Sequence, residues 1–166
     1  MVKNSKISKF FFPSITRKFI LRISLVVILA YVLFGHILIP LKITGHSMEP
    51  TYHNGGVNFC WRLRYLYSKL ARPHVVVVRF AGKKIMLLKR IVAVEGETVE
   101  FRQGKLFING NVIDEPYVRF PCDWNLSPRL VEKNRVYVVG DNRNVPIEKH
   151  DFGQVFINRI MGVPLW

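Results

Sequence analysis

Ser47 stands in the run Gly45-His46-Ser47-Met48-Glu49-Pro50-Thr51, and Lys89-Arg90 stands far downstream inside a strand-like apolar stretch. A serine hydroxyl becomes a nucleophile when a neighbouring group takes its proton, and a lysine held neutral can do so. An ordinary lysine titrates near about 10.4 and is protonated at neutral pH. Burial disfavours the charged form. Met86, Leu87, Leu88, Ile91 and Val92 offer Lys89 apolar surroundings, and no carboxylate occurs from Pro50 to Val94. Strand alternation sends Lys89 to one face and Arg90 to the other. The expectation is a buried Lys89 acting as general base and a solvated Arg90. Such a pair would attack a carbonyl and would need donors for the resulting oxyanion. The backbone N–H of Ser47 is the expected donor, and Gly45 lets the chain approach a substrate closely. Taken singly, a serine here reads as a turn or cap residue and a lysine there as an exposed strand residue.

Residues 23–41 form an apolar run of about the roughly 20 residues that a helix needs to cross a bilayer. A cleavable leader has a shorter core, and no Ala-x-Ala-like site follows, so the run reads as a retained anchor. His36 lies near one end of it, within reach of the interface. Lys3, Lys6, Lys9, Arg17, Lys18 and Arg22 precede the run with no acid among them. The positive-inside rule then puts 1–22 in the cytoplasm and 42–166 on the far side. Phe10-Phe11-Phe12-Pro13 in the tail reads as a membrane-surface or disordered segment.

The chain has 166 residues and a net charge of +14, enough for one membrane segment and one modest domain. Its basic residues flank the apolar run, where anionic headgroups attract them, and no nucleic-acid-binding motif occurs. The lipid bilayer is therefore an expected partner and nucleic acid is not. Trp61, Tyr65, Leu66 and Tyr67 interleave with Arg62, Arg64 and Lys69, which suits either a membrane interface or a half-buried strand with a basic face. Cys60 and Cys122 permit one disulfide or two separate thiols. No metal-ligand spacing occurs among His and Cys, and neither a metal nor a cofactor is expected. Val75 to Phe80, Ile85 to Val94, Thr98 to Phe101, Lys105 to Ile108 and Val136 to Val139 read as strands, with turns at Arg102-Gln103-Gly104 and Asn109-Gly110. The expected fold is mostly β, an antiparallel sandwich or barrel-like domain behind one N-terminal transmembrane helix.

Ser47-Met48-x-Pro50-Thr51, then Lys89-Arg90-Ile91-Val92-Ala93-Val94-Glu95-Gly96-Glu97, then Gly140-Asp141-Asn142-Arg143 occur in this order. Together they resemble the three signature blocks of the type I signal peptidases, which are membrane-bound serine proteases. Leu106-Phe107-Ile108-Asn109-Gly110 and Glu115-Pro116-Tyr117 resemble a hairpin of that family. The resemblance implies a Ser47-Lys89 dyad and preprotein signal peptides as substrates, bound as an added strand and cut after small residues at the first and third positions. It also implies a bacterial cytoplasmic membrane location with the catalytic domain outside. Gly45 stands where some members carry a hydroxyl that assists the oxyanion hole. Asp141 and Asn142 are expected to fix a turn near the site. The last block departs from the family, with Pro146 where a serine orients the lysine, and Glu148 and His150 where an Asp-Arg pair supports the site. A Glu148–His150 pair is the expected replacement. Alternative readings are a specialised peptidase of the same family, maturing conjugative pilins or working in the mitochondrial inner membrane, and a non-catalytic anchored β domain that binds emerging chains. A self-cleaving repressor shares the Ser-Lys pair but would need a DNA-binding domain in place of an anchor.

Overall fold

The computed structural model describes residues 15–80, 85–120, 122–144, 146–149 and 153–166. His150, expected to pair with Glu148, and the Phe10 to Pro13 segment fall outside them. The chain divides into two units, Met1–Ile37 and Leu38–Trp166.

The first unit contains helix α1, Arg17–Val32, followed by a wider π turn, Leu33–Ile37. Thr16 caps the helix: its extended backbone lets the side chain accept from the Phe19 N–H. None of its residues is buried within the protein. The 21 residues Arg17–Ile37 are long and apolar enough to cross a membrane, spanning about 31 Å at 1.5 Å per residue. The helix differs from the apolar run read in the sequence. It starts earlier, taking in Arg17, Lys18 and Arg22, and the tail of the run, Leu38 to Leu41, belongs to a strand. Hydropathy counts Ile39 and Leu41 as membrane residues, yet Leu41 is buried against Cys60 and Val77 in the β domain.

The second unit is built on antiparallel strands. Its large sheet runs in the order β1 (Leu38–Lys42), β2 (Val57–Trp61), β11 (Ile160–Pro164), β3 (Val75–Phe80), β4 (Ile85–Val94), β9 (Arg135–Val139) and β10 (Gly153–Phe156). A smaller sheet orders β7 (Asn111–Val112), β6 (Lys105–Ile108), β5 (Thr98–Arg102) and β8 (Leu126–Leu130). The two predicted turns close hairpins with the backbone that such tight turns demand: φ is 46° and 76° at Gln103 and Gly104, and 52° and 80° at Asn109 and Gly110. A short helix α2, Arg64–Tyr67, occupies the aromatic-basic stretch. Trp61 ends β2, while Leu66 and Tyr67 are exposed.

Alternation along β4 and β9 feeds two separate cores. Tyr137 and Val139 join Val92, Ala93, Val99, Phe101, Leu106, Ile108, Leu126 and Trp124 between the sheets. Val136 and Val138 join Val76, Val78 and Ile91 in the other core. A bulge between Ile91 and Ala93 lets Val92 and Ala93 both enter the first. Phe101 meets Trp124 edge-on at 5.6 Å, and truncating such a ring to alanine costs about 3–5 kcal/mol. The central strands are thus covered on both faces. Cys60 and Cys122 are separate free thiols, not a disulfide. Cys60 is fully buried, and burial pushes its thiol up to about 11.

Candidate active site

Ser47 sits half-buried in the turn that follows β1. Met48 is 2% exposed and roots this turn in the protein, while the carbonyls of His46 and Met48 accept from the N–H groups of Glu49 and Tyr52. Gly45 enters the turn with φ at 98°, a backbone that residues bearing a Cβ rarely adopt. Its N–H donates to Asn54 Oδ1 at 3.0 Å. On the exposed side His46 Nδ1 meets Glu49 Oε1 at 2.8 Å, and this contact holds the Glu49 carboxyl below its ordinary range.

Lys89 lies on β4 opposite Val76 and is 3% exposed. Ser47 shares a groove of about 410 Å³ with Met86, Leu87 and Leu88, the residues just before Lys89, and with Ile43, Thr44 and Gly45. Arg90 corrects the sequence expectation. It is buried rather than solvated, because the opposite face of β4 is also covered and a carboxylate meets the charge there. Its Nε and one terminal nitrogen donate to the two oxygens of Asp141 at 2.8 and 2.6 Å. The other terminal nitrogen donates to the Pro73 carbonyl at 2.7 Å. Burial alone would lower the Arg90 pKa, but the Asp141 carboxylate outweighs it and holds the guanidinium above its ordinary value.

The turn after β9 joins these pieces. Register pairs Arg90 with Val139, so residues 140–142 emerge directly beside β4. The Asn142 N–H donates to the Ser47 carbonyl at 3.0 Å, and its side-chain amide donates to the His46 carbonyl at 3.0 Å. Gly140 packs against the same serine, and a Cβ there would fall 2.3 Å from the Ser47 carbonyl oxygen. Asp141 is fully buried and also accepts from the Thr51 hydroxyl at 2.5 Å. All three sequence blocks therefore converge. Asp141 ties the Ser47 turn, through Thr51, to the strand that carries Lys89, and Asn142 ties it to the turn after β9.

Several partners were invisible to sequence reasoning. Tyr117 lies against the Arg90 guanidinium at 3.9 Å from ring centre. Glu115 accepts from the Tyr117 hydroxyl at 2.8 Å and from Arg143 at 2.7 Å. Arg143 is 1% exposed, and its Nε donates to the Gly140 carbonyl at 2.7 Å. The only sequence hint was that Glu115-Pro116-Tyr117 and Arg143 both lie in recognisable blocks. Pro146 and Glu148 are exposed and line a hollow shared with Arg143, Trp124 and Cys122. Besides Arg90 with Asp141, a second buried carboxylate–guanidinium pair, Glu115 with Arg143, supports the turn after β9.

The family described as signal peptidase, peptidase S26, matches residues 16–164. Among curated proteins, thylakoidal processing peptidase 1, chloroplastic, of Arabidopsis thaliana is 35% identical over 136 residues, covering 74% of this chain and 39% of that protein. Signal peptidase I of Bacillus amyloliquefaciens is 29% identical over 154 residues, covering 86% and 78% respectively. Signal peptidase IB of Staphylococcus aureus is 28% identical over 166 residues, covering 87% and 85%. The chain thus spans 39% and 36% of the length of the two plant relatives it matches. A crystal structure of a signal peptidase I from Enterococcus faecalis aligns with a TM-score of 0.47 at 25% identity, covering 58% of this chain and 97% of that one; the fold is read from the strands themselves. With the family pattern running through α1, the Ser47 turn, β4 and the turn after β9, the chain belongs to the signal peptidase family, peptidase S26.

Proposed function

We propose that this chain is a membrane-anchored serine endopeptidase that removes N-terminal signal peptides from exported preproteins. The Ser47 hydroxyl attacks the scissile carbonyl carbon while the neutral Lys89 amine takes its proton. The backbone N–H of Ser47 stabilises the oxyanion. Collapse of the tetrahedral intermediate breaks the C–N bond, and Lys89 returns the proton to the departing amine. A water molecule then attacks the acyl-serine carbonyl, giving a proton to Lys89. As the acyl–oxygen bond breaks, Lys89 passes that proton to Ser47 Oγ, which restores the hydroxyl and releases the signal peptide with a new carboxylate. Burial of Lys89 suits this role, because desolvation favours the uncharged amine.

The observation that carries the reading is the fastening of residues 140–142 to Ser47 on one side and to Arg90, the neighbour of Lys89, on the other. The groove supports the substrate class. β9 pairs with β4 only from Arg90 onward, and among the described residues no strand pairs with Met86 to Lys89 on that edge. An extended peptide fits there as an added strand, with main-chain hydrogen bonds for affinity and small pockets for specificity. Gly45, Met48 and Pro50 shape the nucleophile turn, and Arg90, Gly140, Asp141 and Asn142 hold it. The proposed setting is the bacterial cytoplasmic membrane, crossed by α1, with the basic N-terminus inside and the β domain outside. The test is cleavage of a preprotein by the full chain in detergent. Wild type should release the mature protein, and Ser47→Ala and Lys89→Ala should not. Processing by either variant at the wild-type rate would overturn the proposal.

A further inference from the structure

We infer that Glu115 is a positioning residue for the Ser47 reaction, acting through Arg143 and Tyr117 on the turn that holds the nucleophile. The inference rests on the reading of Ser47 and Lys89 as the reacting pair. Glu115 belongs to neither strand of the site; it lies in the connection from β7 to β8, in the part of the chain that builds the smaller sheet. Its side chain is 9% exposed and that of Arg143 is fully buried. The two Glu115 oxygens face two Arg143 nitrogens at 2.7 and 3.3 Å, a paired arrangement that fixes the plane of the guanidinium. Phe101 and Trp124 pack near that guanidinium at 5.3 and 5.5 Å.

Two arms run from this carboxylate to the site. In the first, Arg143 Nε donates to the Gly140 carbonyl, and Gly140 packs directly on the Ser47 carbonyl. In the second, the Tyr117 hydroxyl donates to Glu115, and the Tyr117 ring lies against Arg90, which carries Asp141. Both arms therefore end on residues 140–141. Asp141, Arg90, Glu115 and Arg143 together balance to zero charge inside the protein, so removing one carboxylate leaves an uncompensated buried cation next to the turn. The turn would then settle elsewhere, and Ser47 with it.

The test uses the full chain in detergent with a preprotein substrate, and follows kcat, KM and thermal unfolding together. Glu115→Gln keeps the shape and one acceptor oxygen but removes the charge. The expected result is a fall in kcat of about tenfold or more with KM nearly unchanged, as for misplacement of a reacting group. Glu115→Asp, which restores the charge, should recover part of the loss. The double variant Glu115→Gln with Tyr117→Phe should be little worse than Glu115→Gln alone, because the second arm passes through the first residue. A kcat within about twofold of wild type in folded Glu115→Gln protein, or a loss accounted for wholly by unfolded protein, would overturn the inference. If Glu115→Gln does not fold, Tyr117→Phe carries the test, since it leaves the ion pair in place. A lowered kcat at constant KM supports the inference and an unchanged kcat overturns it. Ser47→Ala and Lys89→Ala are measured beside these variants. If both are inactive, a wild-type rate in the Glu115 variants removes only this inference. If either is active, the reacting pair itself falls.

Discussion

Replacing Gly140 by alanine adds one methyl group at the point where the turn after β9 touches Ser47, the proposed nucleophile. That Cβ would lie 2.3 Å from the Ser47 carbonyl oxygen and 3.2 Å from its carbonyl carbon. An ordinary carbon–oxygen approach is about 3.3 Å, so the two segments must part by about 1 Å. The obstacle is backbone on the Ser47 side, and no side-chain rotation can relieve it. The Asn142 N–H bond to the same carbonyl stretches with the shift. Overpacking of this kind costs about 1–3 kcal/mol, which a domain of this size can tolerate while folded. The rate should suffer more, because a misplacement of about 1 Å at a reacting group can cost about 100-fold. The assay is steady-state cleavage of a preprotein by the full chain, with thermal unfolding recorded on the same sample. Folded Gly140→Ala protein should show kcat lowered by about two orders of magnitude and a modest change in KM. A folded variant with kcat within about twofold of wild type would show that the 140–142 turn does not set the nucleophile.

Asp141→Ala should lower stability by about 3–5 kcal/mol in denaturant unfolding, since it leaves Arg90 buried without its counter-charge; a loss under about 1 kcal/mol would mean that Arg90 finds water instead. Cys60 titrates from an ordinary value of 9.0 when unfolded and about 11 when folded, so the folded state holds its proton longer. Its contribution to stability is complete below about pH 9 and is lost as pH rises toward about 11; Cys60→Ala should show a shallower loss of stability across that window, and an identical slope would contradict the burial argument. Protease added to right-side-out vesicles should digest the β domain and leave α1 protected, whereas a protected β domain would reverse the proposed orientation.

That the Ser47 turn, β4 and residues 140–143 belong together was legible because each stands in a short block that resembles a family signature. The β2 strand, the edge strands β1 and β10, and β11 were not: β1 is hidden in the apolar run, and Gly153–Phe156 and Ile160–Pro164 are too short and irregular to show alternation. Arg90 shows the limit of pattern reasoning. Period-two alternation gives opposite faces to Lys89 and Arg90, but it cannot say that a sheet is covered on both faces. Only the fold brings Asp141 to Arg90 across 51 residues, and Glu115 to Arg143 across 28. Sequence proximity suggests partners only within a block, so the Glu115–Arg143 pair, which joins the connection from β7 to β8 to the turn after β9, was not legible.

The central claim is that Ser47 attacks the scissile bond with Lys89 as its base. The most direct measurement is cleavage of a preprotein by purified full-length chain in detergent, with the new N-terminus sequenced and wild type compared with Ser47→Ala, Lys89→Ala and Lys89→Arg. Wild type should yield one mature N-terminus, and all three folded variants should yield none above background, because arginine stays protonated and cannot serve as a base. Cleavage at the same bond by Ser47→Ala or Lys89→Arg at a rate near wild type would contradict the account.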